Sequence, residues 1–158
     1  MDVADVAGLP RSPGAPVPRS AGAPVPRSPG ARGQLRRTVP LLQVNSISET
    51  LAYYVDALGF AVDFCWPPEG PAKWAMASRA QVSFMFTIDL GTSSSRFIAE
   101  KGNGVVLYLM IDDVKALYSE LAGRGAIIVQ DVHEFGGRQQ FSVADVNGYV
   151  IAFSEEFR

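Results

Sequence analysis

VNSISETLAYYVDALGF, residues 44–60, is the stretch whose reading decides the fold. Ser46 and Glu49 have capping-box spacing, in which the two side chains satisfy each other's free backbone N–H groups, so a helix is expected after Ser46. Leu51, Tyr54, Val55 and Leu58 then recur at helical spacing, and Gly59 is placed to end the helix in a left-handed turn. The apolar run at residues 39–44 reads as a strand feeding this helix. Downstream, residues 60–66 read as a second strand, followed by a loop rich in proline and glycine (Pro67, Pro68, Gly70, Pro71) and strands near 73–77 and 81–88. The order is strand, helix, strand, strand, strand.

The same order returns with IDDVKALYSELAGRG, residues 111–125. Residues 105–111 read as a strand, Asp113 as the helix cap, Ala116, Leu117 and Leu121 as the apolar stripe, and Gly123 and Gly125 as stop signals. Strands are expected at 126–130, near 139–144 and at 149–155, with a loop through Gly136 and Gly137 and a turn at Asn147-Gly148. The halves superpose at an offset of 67 residues: Val39 on Val106, Val44 on Ile111, Ser46 on Asp113, Tyr54 on Leu121 and Met85 on Ala152. Side-chain chemistry agrees at most of these pairs, which predicts a duplicated βαβββ unit.

The first 37 residues are of another kind. The octad Pro10-Arg11-Ser12-Pro13-Gly14-Ala15-Pro16-Val17 recurs from Pro18 and again from Pro26, with no aromatic residue. Proline donates no backbone hydrogen bond and glycine is costly to order, so a disordered tail is expected at 1–37 and one folded domain at 38–158, its modules at 38–100 and 104–158. An arginine-rich arm for an acidic surface, a proline-motif ligand and an upstream start codon are the alternatives for the tail. Six arginines there against Asp2 and Asp5 give it a net charge of +4, which leaves −6 for the remainder out of a total of −2. An acidic folded part argues against a nucleic-acid partner and suits a cationic or neutral small ligand. The single cysteine, Cys65, forms no intrachain disulfide, and no run approaches a membrane span or a secretory signal, so a cytoplasmic protein without membrane contact is expected.

Val44-Asn45-Ser46, Leu51-Ala52-Tyr53-Tyr54, Leu58-Gly59-Phe60, Ile111-Asp112-Asp113, Leu117-Tyr118 and Asp145-Val146-Asn147-Gly148-Tyr149 resemble the vicinal oxygen chelate superfamily. That group includes glyoxalase I, extradiol dioxygenases and bleomycin resistance proteins. The resemblance covers nearly all of residues 38–158 and implies an α+β fold of tandem βαβββ modules, whose strands curl into an open, cup-shaped mixed sheet often completed by a homodimer. In its metal-dependent members, His and Glu ligands come from the first and last strands of each module. Carried onto this chain, those places fall at or near Val39, Met85, Val106 and Ala152, and neither these nor their neighbours are imidazoles or carboxylates. No metal and no cofactor are therefore expected, since a borderline or hard cation needs such donors. His133, the one imidazole, reads as a surface-loop histidine beside Glu134, and Cys65 as a small buried strand residue rather than a nucleophile.

Side chains alternate across a strand, and the resemblance orients the faces. The cup side then carries Val39, Leu41 and Gln43; Ser83, Met85 and Thr87; Val106, Tyr108 and Met110; and Val150, Ala152 and Ser154. The other side holds the bulky residues a sheet needs beneath its helices. The expected ligand-binding set is Leu41, Gln43, Trp66, Trp74, Ser83, Met85, Tyr108, Met110, Arg138, Ala152 and Ser154, a mostly apolar wall with a few polar groups. Trp66 and Trp74 read either as flat walls for an aromatic or cationic ligand or as core or dimer interface, and Arg138 either as an anion contact or as a solvated arginine. Met85 and Met110 fit a pocket lining or a β-core equally. The resulting expectation is a metal-independent binding protein like the bleomycin resistance proteins, holding a small molecule without chemistry, with no catalytic residue. A glyoxalase- or dioxygenase-like metalloenzyme with non-standard ligands is the alternative, and a metal-free enzyme or regulatory module is a third.

Overall fold

A computed structural model describes residues 36–88 and 102–156. The repeat tail, apart from its last two residues, and the segment joining the halves lie outside the described residues. Residues 37–158 form one compact unit. Its elements are β1 (Leu41–Gln43), α1 (Ile47–Asp56), β2 (Ala61–Trp66), β3 (Trp74–Arg79), β4 (Val82–Thr87), β5 (Val106–Met110), α2 (Val114–Gly123), β6 (Ile127–Phe135), β7 (Arg138–Ala144) and β8 (Val150–Ser154). The βαβββ order occurs twice, and α1 and α2 are related by the same 67 positions at both ends.

Both helices begin where side-chain chemistry says they should. Ser46 Oγ accepts from the Glu49 N–H and Asp113 Oδ1 from the Ala116 N–H, each filling one orphan donor of the first turn. Past α1 the chain turns at Gly59 with φ +72°, a left-handed conformation that favours glycine, and a Cβ there would lie 2.9 Å from Arg79 Nη1, so that side chain would have to shift.

The strands form two four-stranded mixed sheets, ordered β1-β4-β3-β2 and β5-β8-β7-β6, in a cup-like arrangement. In each, the first strand pairs in parallel with the last and the other pairs are antiparallel. The registers repeat too, since Leu41 stands opposite Met85 and, 67 residues on, Tyr108 stands opposite Ala152. One face of each sheet buries a shared core in which Tyr54, Phe60, Phe84 and Phe86 of the first module join Leu121, Phe141, Val143 and Ile151 of the second. The Tyr54 ring meets Phe86 edge-on at 4.7 Å between centroids. No helix among the described residues is long and apolar enough to cross a membrane.

The turn Asp145–Tyr149 locks the modules together. Asp145 Oδ1 accepts the Asn147 and Tyr149 N–H groups at 2.8 and 2.9 Å, and its Oδ2 accepts the hydroxyl of Tyr54 at 3.3 Å. The Asn147 carboxamide accepts from the Asn45 N–H and donates to Thr50 Oγ1, gripping the start of α1, while the Tyr149 hydroxyl donates to the Gln43 carbonyl. A hairpin turn is thereby bound to the first strand and helix of the other half.

One sequence expectation needs correcting. His133 is not in a loop: β6 runs through it to Phe135, and Gly136 and Gly137, at φ +60° and +77°, form a two-residue turn that places Phe135 opposite Arg138. The polar run Asp131–Glu134 looked loop-like because two register shifts in β6 break its alternation, yet its backbone is paired with β7.

Candidate functional site

Pairing fixes which side chains share the face turned away from the core. In the first sheet it carries Leu41 and Gln43 on β1, Ser83, Met85 and Thr87 on β4, Trp74, Met76 and Ser78 on β3, and Phe64 and Trp66 on β2. In the second it carries Val106, Tyr108 and Met110 on β5, Val150, Ala152 and Ser154 on β8, Arg138, Gln140, Ser142 and Ala144 on β7, and His133 on β6. The expected site residues therefore all stand on these two outer faces, divided between the sheets. Gln43, Trp74, Ser83, Met85 and Arg138 are half-buried, whereas Leu41, Trp66, Tyr108 and Met110 are exposed. Ala152 and Ser154 are buried, at 1% and 2%, because each small side chain sits between larger cross-strand partners, Tyr108 and Met110 on one side and Ser142 and Gln140 on the other.

The faces differ in chemistry. On the first, Trp66 and Trp74 are cross-strand partners, and Phe64 approaches Trp74 edge-on at 5.8 Å. Trp66 is 59% and Phe64 52% exposed, and with Leu41 they make an apolar surface with nothing of the described chain over it. The second face has Val106 and Tyr108 exposed at its β5 edge and a polar middle of Gln140, Ser142 and Ser154. Phe64, Met76, His133, Gln140 and Ser142 were not anticipated as site residues. For Phe64 and His133 the alternation is broken by bulges in β2 and β6, whereas Met76, Gln140 and Ser142 lie on the regular strands β3 and β7 and are placed only by their pairing.

Charge is sparse on both faces. The carboxylate at the first is Asp63, whose Oδ1 accepts the Ser78 hydroxyl at 2.9 Å. Arg138 lines a polar hollow of about 560 Å³ together with Asp112, Glu155 and Glu156, so its cation sits among carboxylates. Two further carboxylates serve the fold. Glu120 bonds to Arg79 and Arg124, and the Arg79 hydrogen bond holds its carboxyl below the usual range despite partial desolvation. Asp145 is in the core-side turn, where burial pushes its carboxyl up and the N–H groups of Tyr149 and Asn147 oppose the shift only in part.

A model of the glyoxalase/bleomycin resistance protein/dioxygenase superfamily matches residues 34–153. The chain belongs to that superfamily. Solved structures of the same fold include TioX from Micromonospora sp. ML1, at 20% identity over 78% of this chain and 98% of that one, with a TM-score of 0.59. The bleomycin-binding protein of Streptomyces verticillus, solved with copper(II)-bleomycin, is 20% identical over 79% of this chain and 99% of its own, with a TM-score of 0.60. A glyoxalase/bleomycin resistance protein from Streptomyces sp. CB03234 is similar at 20% identity, 75% and 100% coverage, and a TM-score of 0.56. A search of curated proteins finds no match.

Metal-dependent members of the superfamily raise the question whether this chain's residues fit a divalent ion. The resemblance carries those ligand positions onto Val39, Met85, Val106 and Ala152, and the register neighbours of Met85 and Ala152 are Leu41 and Tyr108. Aliphatic, thioether and phenol groups do not make the imidazole and carboxylate set such an ion needs. Among the described residues no three His, Cys, Asp or Glu side chains converge on one point. This donor set does not fit such an ion.

Proposed function

We infer that this member of the superfamily binds a small molecule through its flat aromatic groups, without a metal ion held by the protein and without altering it, between the outer faces of two copies of the chain. The observation that carries the reading is the exposed aromatic face of the first sheet, Phe64, Trp66 and Trp74 with Leu41. Contiguous apolar surface of this kind marks a place that something else covers, and large rings with a few polar neighbours are the usual lining of a ligand cavity. The exposed Val106, Tyr108 and Met110 of the second sheet are a matching surface for a second copy. Because the exposed rings of the first face dominate the surface on offer, stacking outweighs ion pairing in the ligand's recognition.

Bleomycin, which the Streptomyces verticillus neighbour holds as its copper(II) complex, is the first probe, used metal-free. Titrated into the full chain with a chelator present, it should bind saturably, raise the melting temperature further as its concentration grows, and be recovered with unchanged mass, from a species of twice the chain mass. A divalent ion bound by the ligand-free chain whose removal abolishes binding, or a product of altered mass, would favour a metalloenzyme with unusual ligands instead. Absence of any shift would refute drug binding of the bleomycin type.

A further inference from the structure

On the second sheet, His133 and Gln140 are cross-strand partners, joined from Gln140 Nε2 to His133 Nε2 at 2.9 Å, while His133 Nδ1 lies 2.9 Å from the Asp131 carbonyl. These contacts fix the protons. A carbonyl only accepts, so Nδ1 carries the hydrogen, and Nε2, left with its lone pair, accepts from the Gln140 amide. Gln140 is 7% exposed and adjoins the buried Ser142 and Ser154 at the polar middle of the face.

We propose that Gln140 sets the hydrogen-bond sense of this half of the binding face and that His133 is the positioning residue that fixes it. With neutral His133 one of the two Gln140 N–H groups goes to the ring, which fixes the orientation of the amide and leaves the carboxamide oxygen to accept from a ligand N–H or O–H. A proton on Nε2 makes both ring nitrogens donors. The amide must then reverse, its oxygen turning to the ring and its NH₂ becoming available to a ligand acceptor. The favoured ligand thus has a donor edge when His133 is neutral and an acceptor edge when it is charged. This deepens the small-molecule reading and rests on it. The titratable and charged groups around the pair are Asp131 and Glu134 on β6, Arg138 on β7, Glu155 after β8 and Tyr118 of α2. Of these, Asp131 accepts the Tyr118 hydroxyl and Glu155 accepts the Gln139 N–H. None of them occupies the Nε2 contact that Gln140 makes.

His133 is the chain's only histidine, so every imidazole signal belongs to it. Nitrogen-15 spectra of the full ligand-free chain should show the Nδ1–H tautomer of the neutral ring, and the Gln140 side-chain amide should move in step with the ring when the ring is protonated. Two probes, 2-naphthol and 2-methoxynaphthalene, differ in the donor. Where the spectra show the ring neutral, the naphthol should bind about three- to tenfold more tightly, the effect of one hydrogen bond, and the preference should shrink or reverse where they show it protonated. His133→Phe should remove the pH dependence, and Gln140→Leu should remove the preference itself. An Nε2–H tautomer, a Gln140 amide indifferent to the titration, or a preference unchanged in His133→Phe would overturn the proposal. If neither probe touches the face, the role in specificity falls with the pocket reading, and the ligand-free spectra then show whether the pair itself was right.

Discussion

Replacing Asp145 with alanine removes one acceptor from three donors, and the structure says what that costs. The carboxylate takes two turn N–H groups and the hydroxyl of Tyr54, a residue with no exposed surface. A buried hydroxyl left without a partner costs about 1–3 kcal/mol, and the two less buried N–H groups about 0.5–1.5 kcal/mol each, so Asp145→Ala should lose about 4 kcal/mol. Asp145→Asn keeps an oxygen for the N–H groups and offers an NH₂ to the Tyr54 oxygen, and it sheds the burial cost of the charge; it should stay within about 1 kcal/mol of the parent. Urea unfolding with an unchanged slope measures both. Tyr54→Phe supplies the cycle: costly in the parent, nearly free beside Asp145→Ala, with a coupling of about 1–2 kcal/mol. Equal stabilities for the alanine and asparagine variants, or no coupling, would refute the account of the turn as the lock between modules.

The same group makes a pH prediction. Burial raises the Asp145 carboxyl in the folded state, so the fold binds this proton more tightly than the unfolded chain does. The corresponding stability is present below the unfolded value of about 3.9, and is lost as pH rises through the raised folded value; Asp145→Asn should therefore gain on the parent as pH climbs from about 4 toward neutrality. Glu120 runs the other way, because its lowered carboxyl stabilises above the unfolded value and loses that as pH falls, and Glu120→Gln should flatten this limb by no more than the small effect of an exposed pair. Ala80 holds φ +52° in the β3–β4 turn without being glycine, so Ala80→Gly should raise the melting temperature by roughly 2–5 °C. Trp66→Ala should leave the stability of the isolated chain within about 0.5 kcal/mol, since the ring is exposed, yet abolish self-association and probe binding in sedimentation and titration experiments.

Elements whose signals are local were legible in the sequence. Ser46 and Asp113 announce the two helices by chemistry within one turn, and the uninterrupted alternation of β1, β4, β5 and β8 separates their faces without reference to any partner. The duplication is legible for the same reason, since both halves repeat those signals at one spacing. β2 and β6 defeated the reading because their bulges shift the period, which hid Phe64 and turned His133 into an apparent loop residue. The role of Asp145-Val146-Asn147-Gly148-Tyr149 was hidden more deeply. As a string it marks a turn, but its work depends on Tyr54 and Gln43, 91 and 106 residues from their partners, and no local pattern encodes such a contact. The polar pair on the second sheet is likewise a product of pairing, visible only once Gln140 stands opposite His133.

The central claim is that the outer faces take up an aromatic molecule without a metal, and metal analysis joined to binding on one sample tests it most directly. Full-length protein, dialysed against chelator and analysed for divalent ions, would be titrated with metal-free bleomycin. The account predicts undiminished, saturable binding at well below one ion per chain, with the ligand recovered intact. About one tightly bound divalent ion per chain, with binding or turnover lost on its removal, would contradict it.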